Sequence, residues 1–138
     1  AISGMNSIYK PSAIPSVIYT NPEIAWAGHT ENELKKLSQE YNKAEFPWSA
    51  SGRAMSINGT EGKTKILTNK ENTRILGIGI VGEHAGDLIS EAMLAIEMRA
   101  IPEDIALTIH PHPTLSETIF NASEILIGSI TDLYIPKK

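Results

Sequence analysis

The chain reads as an α+β protein: an antiparallel sheet of about four to five strands with helices packed around it. Three observations point there. Short runs rich in β-branched and aromatic residues recur at 17–19, 24–28, 41–48, 63–68 and 74–82. The long helical periods come late, between 85 and 127. The strands succeed one another as a meander, without the strand–helix alternation of repeated βαβ units. With 138 residues, one domain is expected, long enough to bury a core without staples.

Residues 1–13 lack periodicity and read as a lead-in, or as linker from an upstream domain. Val17-Ile18-Tyr19 opens a strand that Asn21-Pro22 interrupts and 24–28 resumes, so a bulge, an edge or a bend is expected at the proline. Thr30-x-x-Glu33 is a capping box for a helix of about ten residues, running through Leu34 and Leu37. The strand at 41–48 is followed by a polar loop, 49–59, with a short helix around Arg53, whose charge is read as solvated. Strands 63–68 and 74–82 pair as an antiparallel hairpin across the polar turn 69–73.

From 85 to 99, Leu88, Ile89, Ala92, Met93 and Ile96 mark one face of a helix. Pro102, Glu103 and Asp104 suit the first turn of a second, short helix. Leu115, Ile119, Ala122, Ile125 and Leu126 mark a third, ended at Gly128. The tail to Lys138 reads as irregular.

Composition excludes several classes. A net charge of −4 without a basic stripe argues against nucleic acid. No run approaches the ~18 apolar residues of a membrane span, and no signal peptide is visible, so a cytoplasmic location is expected. With no cysteine, these residues hold no disulfide, thiolate metal site or thiol nucleophile.

Gly77-Ile78-Gly79-Ile80-Val81-Gly82 spells a dinucleotide-binding fingerprint, between a strand and a helix. It is rejected. The acidic residue at the expected spacing, Glu97, lies in a helical period instead of ending a second strand, and the preceding strand belongs to a hairpin. Gly77 and Gly79 share a strand face, so close approach of a neighbouring element is the expected cause.

The chemistry concentrates in His110-Pro111-His112-Pro113-Thr114-Leu115-Ser116-Glu117. Each proline fixes its own φ and pushes the preceding residue out of the α region, so both histidines sit on stiff, extended backbone. Thr114-x-x-Glu117 reads as a capping box, and a histidine held there with a carboxylate in reach has the form of an oriented general base. Three plainer readings stay open. Glu117 serves only as a cap; the histidines are turn residues without a task; or His110 and His112 bind a metal, with His84 or Glu117 as third ligand.

The motif 112–117 resembles the C-terminal signature of the flavin-dependent pyridine nucleotide-disulfide oxidoreductases, and among them the dihydrolipoamide dehydrogenases. Ile14-Pro15-Ser16, Tyr19-Thr20-Asn21-Pro22-Glu23, Phe46-Pro47-Trp48, Ser51-Gly52-Arg53-Ala54 and Gly128-Ser129-Ile130-Thr131-Asp132-Leu133 extend the likeness in order along the chain. The resemblance implies that 14–138 is the interface (dimerisation) domain of a homodimer. In such a dimer His112 takes the thiol proton of dihydrolipoamide in the partner subunit's active site, with Glu117 bonded to its imidazole. The backbone of His112 and Pro113 is then expected near the partner's flavin.

FAD, NAD and the redox cysteines would lie in other domains, so these residues alone are expected to bind neither cofactor, to hold no metal and to be inactive. A 2-oxo acid dehydrogenase complex is the implied partner, through the peripheral subunit-binding domain of its acyltransferase. Related enzymes also imply cis bonds at Asn21-Pro22 and His112-Pro113. The alternatives are the interface domain of a glutathione reductase-like enzyme, or an assembly module without chemistry.

Overall fold

A computed structural model describes residues 4, 6 and 8–134. Five strands form one antiparallel sheet: β1 (Ser16–Ile18), β2 (Glu23–Gly28), β3 (Asn42–Pro47), β4 (Lys63–Thr68) and β5 (Ile75–Gly82). Their order is β1-β2-β5-β4-β3, which corrects the simple meander. Only β3, β4 and β5 follow chain order across the sheet. The β1–β2 hairpin is laid against β5, with Ala25 opposite Ile80 and Ala27 opposite Ile78. The proline at 22 likewise does not bend one strand. It sits in the tight turn between two paired strands, and Asn21-Pro22 is cis.

Alternation along the strands decides which face is buried. Ala25, Ala27, Phe46, Ile66, Ile78 and Ile80 point to one side, where α3 (Ala85–Met98) and α5 (Glu117–Ile127) cover them. Ile89, Ala92, Ile119 and Ala122 are among the helical residues that close this core. α4 (Pro102–Leu107) packs against α5, with Pro102 in its first turn and the Asp104 carboxylate accepting from the Ile101 amide. The sheet's other face carries a small cluster of Leu34, Leu67 and Leu76 under α1 (Glu31–Lys36).

α1 has six residues, short of the ten expected. Its capping box forms in both directions, but the backbone turns left-handed at Ser38, φ 52°, and ends the helix before Leu37 can extend it. The short helix around Arg53 is α2 (Gly52–Ser56), and Arg53 is exposed. Gly77 explains itself: a Cβ there would collide with the His29 backbone, which donates to the Leu76 carbonyl at 2.8 Å. Gly79 is not under the same pressure, since its nearest neighbour would be the Trp26 side chain at 4.0 Å. Residues 128–134 are irregular, as expected, and 135–138 lie outside the described residues.

Candidate active site: a histidine–glutamate pair at the start of α5

The segment from Thr108 to Ser116 joins α4 to α5 and contains the cis bond His112-Pro113. Glu117 is the first residue of α5, where a carboxylate is favoured by the helix dipole. It uses both oxygens. Oε1 faces His112 Nδ1 at 2.8 Å, and Oε2 accepts from the Thr114 amide at 2.7 Å. The pairing reading and the cap reading therefore both hold, though the cap is only half a box. The Thr114 hydroxyl donates to the Pro111 carbonyl at 2.7 Å instead of accepting from α5. The helix accordingly starts two residues later than Thr114 as N-cap suggested.

A carboxylate only accepts, so facing one assigns the hydrogen to Nδ1 and turns the Nε2 lone pair away from Glu117. Nε2 has no partner among the described residues. The imidazole is 79% exposed, while the Glu117 side chain is 19% exposed. A shielded carboxylate thus holds an imidazole whose second nitrogen is accessible from outside the domain.

The helix that carries Glu117 is pinned from beneath. The Trp48 indole donates to Thr64 Oγ1 at 3.0 Å, Thr64 donates to Thr118 Oγ1 at 2.8 Å, and Thr118 donates to the Leu115 carbonyl at 2.7 Å. All three side chains are buried, and each hydroxyl accepts once and donates once, so Trp48, Thr64 and Thr118 leave no side-chain polar group unpaired.

The two histidines of the motif diverge. His110 turns inward, with Nδ1 at 2.8 Å from the Thr108 carbonyl and Nε2 at 2.7 Å from Glu91 Oε1. His84 stands apart at the start of α3, 3.6 Å from Asp87. Among the described residues no three metal-ligating side chains come together, so the chelate reading has no geometry behind it. Nothing in the sequence singled out Glu91, because it lies on α3, nineteen positions before the histidine it binds. Gly77 to Gly82 lies inside β5, its amides committed to the sheet, and offers no cradle for a dinucleotide phosphate. The stretch 77–82 therefore does not fit a dinucleotide.

Comparison with known proteins agrees with this layout. The family model described as the pyridine nucleotide-disulphide oxidoreductase dimerisation domain matches residues 14–123. A dihydrolipoyl dehydrogenase of Buchnera aphidicola subsp. Acyrthosiphon pisum is 54% identical over 132 residues, covering 96% of this chain and 28% of the relative. One from Haemophilus influenzae is 51% identical with the same coverage. The chain thus spans under a third of the length of the relatives it matches. In fold it resembles LpdA of Mycobacterium tuberculosis, with a TM-score of 0.79 at 24% identity over 89% of this chain and 27% of that one. The chain belongs to the dimerisation-domain family of the pyridine nucleotide-disulphide oxidoreductases.

Proposed function

We propose that this domain completes the active site of the partner subunit in a homodimeric dihydrolipoamide dehydrogenase, with His112 as general base and Glu117 as its orienting carboxylate. The observation that carries the reading is the His112–Glu117 contact, which leaves an exposed Nε2 lone pair. A thiol must lose its proton before it can attack a disulfide. His112 Nε2 takes that proton from dihydrolipoamide, and Glu117 Oε1 stabilises the imidazolium that forms.

FAD, NAD and the redox cysteines belong to the rest of the enzyme, and the backbone of His112 and Pro113 lies towards the partner's flavin. The 138 residues alone are therefore inactive and bind neither cofactor; absence of flavin absorbance in the purified chain is the check. A 2-oxo acid dehydrogenase complex, engaged through the subunit-binding domain of its acyltransferase, is the expected setting, in the cytoplasm.

Pairing is supported by the surface beside the motif. Leu94 and Met98 on α3, Leu107 at the end of α4 and Ile109 just after it are large, apolar and exposed. Leu107 and Ile109 precede His110, whose bond to Glu91 joins this segment to α3. We read this patch as part of the face that a second copy covers.

Mixing subunits tests the cross-dimer claim. Full-length enzyme with His112→Gln is combined, under exchange, with full-length enzyme lacking its redox cysteines. Each parent is inactive. If His112 serves the partner, a hybrid dimer has one complete site and activity returns on mixing. Two dead parents giving only dead hybrids would sink the reading.

A further inference from the structure

We propose that His110 is a positioning residue for His112, a buried imidazole that clamps the His-Pro-His-Pro turn onto α3, α4 and α5; this rests on the reading of His112 as the general base. The two rings lie two residues apart and are treated in opposite ways. His112 is 79% exposed, whereas the His110 side chain is 7% exposed. His110 touches three elements at once. Nδ1 is bonded to the Thr108 carbonyl after α4, Nε2 to Glu91 on α3, and the ring lies 5.5 Å from that of Phe120 on α5.

Its hydrogen bonds exclude a second base. A carbonyl only accepts, so Nδ1 carries a hydrogen. A bare carboxylate also only accepts, so a proton lies between Nε2 and Glu91 Oε1, whichever atom owns it. No ring nitrogen is left to exchange a proton with substrate. What the ring does have is a fixed position. Downstream, the turn is fixed by Glu117 on the Thr114 amide and by the Thr114 hydroxyl on the Pro111 carbonyl. Upstream, His110 is the fixed point, and only Pro111, with its φ locked by the ring, stands between it and His112. The catalytic imidazole is thus suspended between two anchors. Losing one lets it drift, and a displacement of ~1 Å at a reacting group can cost about 10²-fold in rate.

The test uses the full-length enzyme and three variants. His110→Phe keeps a ring against Phe120 and drops both bonds. Glu91→Leu leaves Nε2 without a partner. Glu91→Gln restores one, because its amide can either donate to or accept from the ring. The kcat for oxidation of dihydrolipoamide should fall about 10- to 100-fold in the first two, with KM changed by less than about threefold, and stay near wild type in Glu91→Gln. Exchange between NADH and flavin and the sedimentation of the dimer should be unchanged in all three.

If His110→Phe and Glu91→Leu both keep full kcat, the clamp is not a positioning device. Equal loss of both half-reactions, or loss of the dimer, also overturns it, since that is a structural role. Glu91 is a third exposed, so Glu91→Leu decides alone if His110→Phe does not fold. His112→Gln is run alongside. If that variant keeps its dihydrolipoamide rate, the general-base reading fails on its own account, and the clamp has nothing to position.

Discussion

Two carboxylate clusters in this domain are built from the same chemistry and end differently. On the open face of the sheet, Glu45 lies 3.2 Å from Lys43 and 3.3 Å from both Lys63 and Lys65. Glu31, from α1, is bonded to Lys65 and accepts from the Tyr41 hydroxyl at 3.0 Å. Cross-strand register puts Glu45 directly opposite Lys65, so the lattice follows from β3 and β4 pairing. Burial works against the charge on Glu45, yet the three lysines outweigh it and hold the carboxyl below its ordinary range. Each charge there is answered by another. At the start of α5 the carboxylate is also saturated, but its histidine is not, since one nitrogen faces outward unpaired. A closed cluster has no free acceptor, whereas the open one leaves a ring nitrogen exposed.

Removing the unpaired nitrogen breaks this contrast most severely. In the full-length enzyme, His112→Gln should slow reduction by dihydrolipoamide by roughly two to four orders of magnitude, the usual worth of a positioned base. Rapid-mixing measurement of both half-reactions is the check. Exchange between NADH and flavin needs no thiol proton and should hardly move. Comparable damage to both would mean misfolding or a lost dimer, and the base role would be wrong.

Glu117→Gln should cost less, about tenfold to a hundredfold in the same half-reaction. The carboxylate serves two donors, His112 Nδ1–H and the Thr114 amide, with one oxygen each. Glutamine has a single oxygen. Kept on Thr114, it turns its NH₂ group toward Nδ1 and favours the tautomer with hydrogen on Nε2, which blocks the base. Kept on Nδ1, it leaves the Thr114 amide facing a donor. A rate equal to wild type would show that Glu117 is a cap and nothing more.

How much of this was visible in the sequence depends on how local each feature is. The capping box at Thr30 and Glu33, Pro102 at a helix start, Gly128 at a helix end and the alternation of β3 and β4 involve neighbours within a few residues, and all appear. The pair His112 and Glu117 is five residues apart and was equally readable. The sheet order was not, because β2 pairs with β5 across more than forty intervening residues. Local pattern also misjudged two helix ends. At Ser38 the chain turns left-handed, and at Thr114 the hydroxyl prefers the Pro111 carbonyl to the helix. The burial of His110 depends on Glu91 and Phe120, on two other helices, so its sequence neighbourhood looked the same as that of His112.

The smallest expected effect comes from opening the closed cluster. Glu31 is held down from the ordinary 4.5 to about 2, first by the hydrogen bond from Lys65, against burial, and further by the Tyr41 hydroxyl and the charges of Lys65 and Lys43. A carboxyl whose folded pKa is depressed binds fewer protons in the folded than in the unfolded chain. Its contribution to stability is therefore complete above the unfolded value near 4.5 and is lost as pH falls through about 2. Glu31→Gln should lower stability at neutral pH by on the order of 1 kcal/mol, after solvent screening of a surface cluster. The difference from wild type should shrink between pH 4.5 and about 2 and vanish below. Added salt should shrink it too, because the cluster faces water. Thermal melts of both proteins across that pH range measure it. A difference that stays constant down to pH 2 would mean that Glu31 acts through packing and not through its charge.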